Sequence, residues 1–225
     1  MEAKRAAAEL AVELLQDGMT VGLGTGSTVY YSIQAIGRKV ANGLSIRAVA
    51  TSVRSEMLAK ELDIPMIPFS EVEEIDMTID GADEADPEWN LIKGGGGALL
   101  REKIVADASK QLIIVVDESK LVQRLGRFPL PVEVVPFGFE LTQRKLRRLG
   151  CEPKLRMSDS QLYMTDNGNY MMDCEFDSIA QPGRLSEELH RIPGVVEHGL
   201  FVGMASQVIV GRLDGTAYTL DRVRT

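Results

Sequence analysis

Apolar residues along the first half of the chain follow two spacings in turn, one typical of helices and one typical of short buried strands. Recurrence every three or four positions predicts amphipathic helices, and short apolar runs between them predict strands. The predicted elements are a helix over residues 3–17, a strand over 19–24, a helix over 29–40, a strand over 45–50, a helix ending near Leu62, apolar runs over 64–67 and 75–79, a helix over 98–109 and a strand over 112–116. This alternation predicts parallel pairing in an open, doubly wound α/β sheet.

Polar loops follow four of the predicted strands. They are GTGST (24–28), TSVRSE (51–56), DGADE (80–84) and DESK (117–120). In a doubly wound sheet the loops after the strands share one edge, where ligands bind. We therefore expect these loops and KGGGG (93–97) to line one crevice. Ser27 or Thr28 is the predicted N-cap of the second helix, and Thr51 or Ser52 that of the third.

The second half of the chain has a different order of elements. The predicted elements are a strand over 132–137, a helix over 142–149, two strands within 161–176 around the turn 166–169, a helix over 182–191, a strand over 195–201 and two strands within 206–223. The order of the first six predicts a small α+β, ferredoxin-like domain over 128–202. The last two strands are expected to return to the first sheet, so that residues 1–127 and 203–225 form the larger, catalytic domain.

Composition and charge exclude several classes of protein. The 225 residues are 44% hydrophobic and 26% charged, as in globular proteins. The 25 Lys and Arg residues against 33 Asp and Glu residues give a net charge of −8. This acidity argues against nucleic acid and anionic membranes as partners, because both require a basic surface. An anionic ligand would have to be held by cations placed locally.

The N-terminal segment, the cysteines and the histidines narrow the choice further. Residues 1–18 carry charges inside their apolar stretch, so they predict an amphipathic helix and not a signal peptide. Cys151 and Cys174 are too few for a disulfide framework and predict free thiols in a reducing cytoplasm. His190 and His198 lie eight residues apart without a ligand pattern, which argues against a zinc site, and no metal is predicted.

The loop GLGTGST (22–28) resembles two nucleotide-binding motifs but matches neither. A dinucleotide fingerprint needs a third glycine where Ser27 stands, and an acidic residue about 20 positions later is missing. A P-loop needs a lysine before its final hydroxyl residue, and Gly26 precedes Ser27 here. Backbone N–H groups and three hydroxyls remain at a helix N-terminus, which suits a phosphate group. A plain tight turn with a helix cap stays an alternative.

Two further motifs carry candidate chemistry. In DGADE, the carboxylates of Asp80, Asp83 and Glu84 suit sugar hydroxyls, acid–base work or a divalent metal, although no third hard ligand is evident. In KGGGG, each glycine costs roughly 0.5–1 kcal/mol in regular structure, which is best explained by close approach of the backbone to a ligand. An acidic surface turn stays an alternative for the first motif.

Glu102 follows KGGGG by one helical turn and is the candidate general base. The predicted buried stripe of its helix consists of Leu100, Ile104 and Ala108, so Glu102 is expected to lean away from that stripe. A carboxylate beside Lys93 and a bound sugar suits proton transfer. The alternatives are that Glu102 is an ordinary exposed helix charge and that Lys120 of DESK is a solvated loop lysine.

Together and in this order, the motifs GTGST, TSVRSE, DGADE, KGGGGALLREKIVA and DESK resemble ribose-5-phosphate isomerase of type A. The resemblance extends along the chain to PGVVEHGLF (193–201). It implies a Rossmann-like domain, a smaller α+β domain and a cofactor-free aldose–ketose isomerase. The implied substrates are ribose 5-phosphate and ribulose 5-phosphate of the non-oxidative pentose phosphate pathway, in the cytoplasm. A homodimer or a tetramer is also implied, with Trp89, Phe137, Phe139 and Phe201 as interface candidates that core packing explains equally well.

The same resemblance assigns roles to residues. Glu102 is the implied base that shuttles a proton through a cis-enediolate. The implied substrate contacts are Thr25, Gly26, Ser27, Thr28, Asp80, Gly81, Ala82, Asp83, Lys93, Gly94, Gly95, Gly96 and Lys120. By residue type, Lys93 and the glycine N–H groups would stabilise the developing oxyanion, and Asp80 or Asp83 would help to open the sugar ring. Which loop holds the phosphate stays open, with Lys120 a candidate.

Two other classes of function stay open at this point. One is a non-catalytic sugar-phosphate sensor, which would carry a helix-turn-helix module before the first sheet unit. The other is an amino-sugar-phosphate deaminase on a similar sheet, since fold alone does not decide the reaction. A deaminase is expected to use a histidine near the sheet edge, whereas both histidines fall in the second half.

Overall fold

The structure is a computed structural model that describes residues 1–223. Its helices are α1 (Glu2–Val12), α2 (Ser27–Ala41), α3 (Val53–Glu61), α4 (Leu99–Asp107), α5 (Phe139–Arg147) and α6 (Pro182–His190). Its strands are β1 (Thr20–Leu23), β2 (Arg47–Ala50), β3 (Met77–Gly81), β4 (Glu84–Ala85), β5 (Leu91–Ile92), β6 (Leu112–Asp117), β7 (Leu130–Val134), β8 (Glu152–Leu155), β9 (Met157–Ser158), β10 (Gln161–Leu162), β11 (Tyr170–Glu175), β12 (Val195–His198), β13 (Leu200–Phe201), β14 (Gln207–Gly211) and β15 (Ala217–Thr219). Among the described residues, every helix is too short or too polar to cross a bilayer.

The first of two units contains residues 1–82, 101–120 and 204–223 and is built on a six-stranded sheet. The strand order is β15-β14-β6-β3-β1-β2, with parallel pairing except between β14 and β15. The predicted doubly wound sheet is confirmed, and the C-terminal strands return to it. The loops that follow β1, β2, β3 and β6 therefore lie along one edge of this sheet.

Packing on both faces explains why the central strands of this unit are continuously apolar. On one face α1 and α2 pack on the sheet, and Ala7 and Ala11 are fully buried where α1 approaches it closely. The other face holds a smaller cluster that includes Val49 and Val105 of α4. Gly22 in β1 lies under this second cluster, because a Cβ there would come within 2.8 Å of Val105.

The second unit contains residues 83–100 and 121–203 among those described. Its main sheet is antiparallel with the order β12-β7-β11-β8, and its chain order is β7-α5-β8-β11-α6-β12. These orders are those of the predicted ferredoxin-like arrangement. Its core joins Leu130 and Val132 of β7 to Met172 of β11 and Leu189 of α6. A smaller sheet, β13-β5-β4, belongs to the same unit.

The two units differ from the predicted domain bounds in residues 83–100 and 121–127 and at Gly203, all of which lie in the second unit. Residues 83–100 were expected with the larger domain, but their contacts lie in the second unit. The reason is pairing: β5 joins β13, and the Lys93 N–H donates to the Gly199 carbonyl at 2.8 Å. As independently folding domains, 1–127 with 203–225 and 128–202 stay a prediction. Residues 224–225 of those bounds lie outside the described part of the chain.

The first helix, predicted over residues 3–17, ends at Val12, and three predicted strand segments also differ from those observed. The strand expected over 195–201 splits into β12 and β13 at Gly199, whose N–H donates to the Pro131 carbonyl. The apolar run over 64–67 forms only a single bridge, between Met66 and Ala48. The turn at 166–169 is present, but the strand before it, β10, pairs with β9, and only an isolated bridge from Met164 joins this segment to Tyr170. In each of these three strand segments the apolar pattern predicted extended backbone correctly, and the backbone partner available to the segment decided how it pairs.

Candidate active site

Hydroxyl groups hold the loop that follows β1. Thr25 Oγ1 lies 2.7 Å from Thr51 Oγ1 and 2.8 Å from Ser52 Oγ. Ser55 Oγ donates to the Gly24 carbonyl at 2.7 Å. Ser52 also caps α3 by accepting from the Ser55 N–H, as one of the two predicted caps. The TSVRSE motif therefore positions the GTGST loop.

Asp80, near the end of β3, is fully buried beside the same loop. Its Oδ1 accepts hydrogen bonds from Thr25 N at 3.1 Å and Gly81 N at 2.7 Å. A Cβ on Gly24 would lie 2.1 Å from that oxygen and 2.7 Å from the Asp80 Cα. Glycine is therefore required at position 24, and Asp80 fixes the backbone of the loop.

Helix α2 begins at Ser27, with Gly26 as its N-cap at φ +123°. The prediction that Ser27 or Thr28 caps this helix is wrong, because both residues already lie inside its first turn. A glycine cap has no side chain that could accept from the first-turn N–H groups. The N–H groups of the first turn, at the positive end of the helix dipole, therefore face the preceding loop.

Lys4 of α1 supplies a cation at this helix end. Its Nζ donates to Ser27 Oγ at 2.8 Å, and both side chains are at the surface of the first unit. An anion at the start of α2 would thus meet an ammonium group, a hydroxyl and backbone amides. Sequence reasoning missed Lys4, because it is one of several charges on an amphipathic helix and only tertiary packing brings it to Ser27.

Glu102 lies in the first turn of α4 and is only 4% exposed. The buried residues of this helix are Leu99, Glu102, Val105 and Ala106. The predicted stripe of Leu100, Ile104 and Ala108 is wrong, since Ile104 is 54% exposed. Glu102 therefore belongs to the buried face instead of leaning away from it. Its carboxylate is shielded from bulk water.

Asp83 belongs to the motif DGADE and is the first residue of the second unit. Its Oδ2 accepts from Gly95 N at 2.7 Å, and its own N–H donates to the Ile92 carbonyl. A Cβ on Gly95 would lie 2.5 Å from Asp83 Oδ1. Glycine at position 95 is therefore what lets a carboxylate and the backbone of the glycine run meet.

Glu84, the third carboxylate of DGADE, has a structural task. It is fully buried and accepts from Gly126 N at 2.8 Å and Phe128 N at 2.6 Å. These bonds anchor the chain that leads into β7. The three acidic residues of one short motif thus accept hydrogen bonds from three different backbone segments.

Lys93 is 2% exposed, which is rare for lysine. Its Nζ lies 5.3 Å from the centre of the Phe201 ring, within the range of a cation–π contact. A Cβ on Gly199 would lie 2.1 Å from the Lys93 carbonyl oxygen. The segment EHGLF (197–201) therefore holds Lys93 from its backbone and from its side chain.

Sequence comparison decides the family. The family model of ribose 5-phosphate isomerase A (phosphoriboisomerase A) matches residues 47–215. Ribose-5-phosphate isomerase A of Bacillus mycoides (strain KBAB4) is 54% identical over 216 residues, covering 96% of this chain and 98% of the relative. The chain belongs to the ribose-5-phosphate isomerase A family.

Solved structures agree with this assignment. Ribose 5 phosphate isomerase A from Neisseria gonorrhoeae has a TM-score of 0.92 at 42% identity, covering 98% of this chain and 96% of that one. Ribose 5-phosphate isomerase from Plasmodium falciparum has a TM-score of 0.93 at 39% identity, covering 98% of each. The resemblance inferred from the motifs is confirmed, and the chain is a pentose-phosphate isomerase. The sensor and deaminase alternatives are not favoured.

The predicted substrate contacts of this isomerase divide between the two units. Those of the first unit are Thr25, Gly26, Ser27, Thr28, Asp80, Gly81, Ala82 and Lys120, with Glu102 as the candidate base. Those of the second unit are Asp83, Lys93, Gly94, Gly95 and Gly96. Lys120 follows β6 in a short 3-10 turn, at the sheet edge that also carries the GTGST loop.

The two histidines of the isomerase meet in the second unit despite their separation in sequence. Their ring centres lie 4.5 Å apart, and Glu197 Oε1 is 3.0 Å from His190 Nε2, so three metal-ligating groups are clustered. However, the Leu200 N–H points to His198 Nδ1 at 3.2 Å. Neutral His198 therefore carries its proton on Nε2, which faces Ser186 Oγ at 3.1 Å. That nitrogen is a donor and has no lone pair for a metal.

Proposed function

We propose that the chain interconverts D-ribose 5-phosphate and D-ribulose 5-phosphate through a cis-enediolate, with Glu102 carrying a proton between C2 and C1. The burial of Glu102 in the first turn of α4 is the observation that carries this proposal. A carboxylate shielded from bulk water can remove a carbon-bound proton and return it to the neighbouring carbon. One base on one face of the enediolate serves both directions.

Loss of the C2 proton places negative charge on the sugar oxygens. We assign the stabilisation of this charge to the Lys93 ammonium and to backbone N–H groups of the glycine run other than that of Gly95, which is bonded to Asp83. The burial of Lys93 supports this role, because a charge acts more strongly where water is excluded. Asp83, which is partly exposed beside Gly95, handles the hydroxyl protons and ring opening. Asp80, fully buried, orients the first loop.

The phosphate group is assigned to the loop Thr25–Thr28 and the start of α2. Backbone amides, the Ser27 hydroxyl and the Lys4 ammonium support this assignment, since each favours an anion. Lys120 is retained as a second cation at the same edge of the first unit's sheet. In the glycine run, by contrast, the Gly95 N–H is already bonded to the Asp83 carboxylate.

A ligand described for a relative supports the enediolate. D-ribose-5-phosphate isomerase in complex with phospho-erythronic acid has a TM-score of 0.94 at 41% identity, covering 97% of each chain. That ligand combines a phosphate with a planar carboxylate, which resembles a planar enediolate. We propose that this ligand also binds this chain and inhibits the isomerisation.

The proposed reaction requires no cofactor and no metal. Its balance consists of one proton moved from C2 to C1 and one moved from the C2 hydroxyl to the C1 oxygen. No electron leaves the substrate, and no water is consumed. Groups that transfer protons and groups that donate hydrogen bonds are therefore sufficient to catalyse this reaction.

A homodimer, with a tetramer as its extension, is proposed for the assembly. Phe137 is 92% exposed and Leu141 61% exposed, and they line one depression with Val135 on the second unit. An apolar patch of this kind suits a second copy of the chain. Of the other candidates, Phe201 is fully buried and Phe139 packs on Tyr170. Light scattering of the wild type and of Phe137→Ser tests this surface, with dissociation by the variant expected.

A cytoplasmic location is proposed from the cysteines. Cys151 and Cys174 are both buried and free, although they lie close enough to hydrogen-bond to each other. Neighbouring free thiols are typical of a reducing compartment. Neither nucleic acid nor a membrane is proposed as a partner, because the net charge of −8 opposes both.

A direct assay tests the proposed reaction. Purified protein is mixed with ribose 5-phosphate and EDTA, and ketose formation is followed. Turnover is expected for the wild type, and Glu102→Gln is expected to lower kcat by roughly 10²- to 10⁴-fold, since the amide cannot accept the proton. The control is Glu56→Gln, at an exposed helix position paired with Lys60. No turnover by the wild type, or full turnover by Glu102→Gln, would contradict the proposal.

A further inference from the structure

Arg156 contacts the glycine run from a part of the second unit that the motifs do not include. Its Nη1 donates to the Gly94 carbonyl at 2.9 Å and to the Gly95 carbonyl at 3.2 Å. Gly94 and Gly95 are the first two of the four glycines in the run 94–97. Arg156 lies about 60 positions later in the chain, so only the tertiary fold makes this contact.

Arg156 is itself held in place on two sides. Asp173 accepts from Nε at 2.9 Å and from Nη2 at 2.5 Å, which is a bidentate pair. The Tyr163 ring lies 5.7 Å from the guanidinium carbon. The side chains of Arg156 and Asp173 are 14% and 28% exposed. The guanidinium is therefore oriented before it meets the glycine run.

The Gly94–Gly95 peptide group connects Arg156 to Asp83. Its carbonyl accepts from Arg156, and its N–H donates to Asp83 Oδ2 at 2.7 Å. The peptide is trans, so its two polar groups point in opposite directions. A cation at the carbonyl and a carboxylate at the N–H both align with the peptide dipole, and such bonds strengthen one another.

The next peptide group follows the same geometry. The Gly95 carbonyl accepts from Arg156, so the Gly96 N–H of that trans peptide points away from Arg156. Gly95 and Gly96 are both exposed, which leaves this side of the run open to a ligand. Glycine peptides rotate easily, and an unheld run would not keep one N–H direction.

We propose that Arg156 is a positioning residue for the isomerisation: it fixes two peptide groups so that the Gly96 N–H faces the substrate oxyanion and the Gly95 N–H holds Asp83. This inference rests on the proposed function, because it assigns the glycine run and Asp83 to the reacting end of the sugar. Arg156 touches neither the substrate nor the phosphate group in this assignment. Its loss therefore affects the transition state more than substrate binding.

The test compares Arg156→Gln, Asp173→Asn and the control Arg147→Gln by steady-state kinetics. Arg147 forms a bidentate pair with Glu152 that is about half exposed and contacts no motif. Arg156→Gln is expected to lower kcat about 10- to 100-fold with KM within about threefold of the wild type. The inhibition constant of phospho-erythronic acid is expected to rise by the same factor, and that of inorganic phosphate to stay unchanged. The kcat of Asp173→Asn is expected to lie between that of Arg156→Gln and that of Arg147→Gln.

Two further variants separate positioning from simple stability. Arg156→Lys keeps the charge and one carbonyl contact, so it is expected to recover at least about threefold in kcat over Arg156→Gln. Guanidinium ion added to the variant Arg156→Ala is expected to raise the kcat of that variant. A defect in global folding would not be repaired in this way. Should Arg156→Gln not fold at the assay temperature, Asp173→Asn decides the question by its kcat.

Three outcomes overturn the inference. They are a kcat of Arg156→Gln within twofold of Arg147→Gln, a loss confined to KM, and, for a folded Asp173→Asn, an unchanged kcat. The failure of the proposed function is a different result: the wild type itself would then show no turnover of ribose 5-phosphate, and the inference would fall with it. Turnover by the wild type together with any of the three outcomes overturns the role of Arg156 alone.

Discussion

The two glycine loops of this isomerase are held by different means. In the first unit, GTGST is fixed by Asp80 and by the hydroxyls of Thr51 and Ser52, all from neighbouring strand ends of one parallel sheet. In the second unit, the run after Lys93 is fixed by Asp83 on one side and Arg156 on the other. The first loop is thus held by the sheet that carries it, and the second by a distant ion pair.

This difference shows what each loop can do. The first loop has a rigid backbone and leads into the N-terminus of a helix, which suits a ligand group of fixed charge such as phosphate. The second loop carries peptide groups whose direction depends on charged side chains. Such groups can be aimed at charge that develops during a reaction. Variants of the two loops should therefore fail in different ways.

The largest expected effect comes from adding one methyl group to each loop. In Gly95→Ala the Cβ would displace the flexible Asp83 carboxylate, so kcat/KM should fall about 10²-fold with little loss of stability. In Gly24→Ala the Cβ would meet the Asp80 backbone, so the free energy of unfolding should fall by about 1–3 kcal/mol. Kinetics and urea unfolding of both variants measure this contrast.

Gly183→Ala is the control for these two substitutions. Its nearest neighbour atom would lie 3.9 Å from the new Cβ, and the position is inside α6. It should keep full activity and gain up to about 1 kcal/mol in stability, because alanine favours helix. If Gly24→Ala and Gly95→Ala lost activity and stability in equal proportion, the distinction between the loops would be wrong.

The second prediction concerns the cation of the first loop. Lys4→Gln removes the ammonium group beside Ser27, so KM for ribose 5-phosphate should rise about 10- to 100-fold, as for the loss of a charge-assisted hydrogen bond. The effect on kcat should be smaller, and high salt should reduce the difference from the wild type. Lys60→Gln, on an exposed helix of the same unit, is the control. An unchanged KM would move the phosphate away from this helix end.

The third prediction concerns the hydroxyl groups that support this loop. Ser52→Ala removes both the cap of α3 and a partner of Thr25, so the free energy of unfolding should fall by about 1 kcal/mol. Urea unfolding at neutral pH measures the change. Ser119→Ala, at an exposed turn after β6, should change stability less. Equal losses in the two variants would show that the cluster around Thr25 adds no stability of its own.

The smallest expected effect is a dependence of the free energy of unfolding on pH, which differs between the two units. The Thr20 N–H and the Lys110 ammonium lower the pKa of Asp76 in the first unit, so this group stabilises the fold above the ordinary carboxyl pKa. That contribution is lost as the pH falls through the lowered value, below about pH 4. In the second unit, the hydrogen bond that the Cys174 thiol donates to Cys151, together with burial, raises the pKa of Cys174. Its contribution is present below the ordinary thiol pKa of about 8.5 and is lost above the raised value.

Unfolding curves across the pH range test these two directions. Asp76→Asn should make stability less dependent on pH on the acid side and leave the alkaline side as in the wild type. Its control is Asp17→Asn, since Asp17 accepts one exposed backbone hydrogen bond. A wild-type stability that does not fall in acid more steeply than that of Asp76→Asn would contradict the assignment.

Much of the fold and part of the site could be predicted from sequence. Strand runs, glycine positions and the order of motifs are local properties, and they indicated the parallel sheet, the ferredoxin-like order and the family. The buried face of α4 was predicted wrongly, because leucine and isoleucine at the surface, including Ile104, carry the same periodic signal as core residues. Lys4 and Arg156 gave no local signal, since each acts through a partner far away in the chain.

The sequence by itself determined which backbone segments bear glycine, hydroxyl and carboxylate groups, and hence the family and the reaction. Only the tertiary structure decided how these groups are used. Asp80, Asp83 and Glu84 lie within five consecutive residues, yet each accepts from a different segment of backbone. The physical reason is that a carboxylate removed from water, fully at Asp80 and Glu84 and partly at Asp83, is satisfied by whatever donors the fold places beside it, and those donors are set by packing between residues distant in the chain.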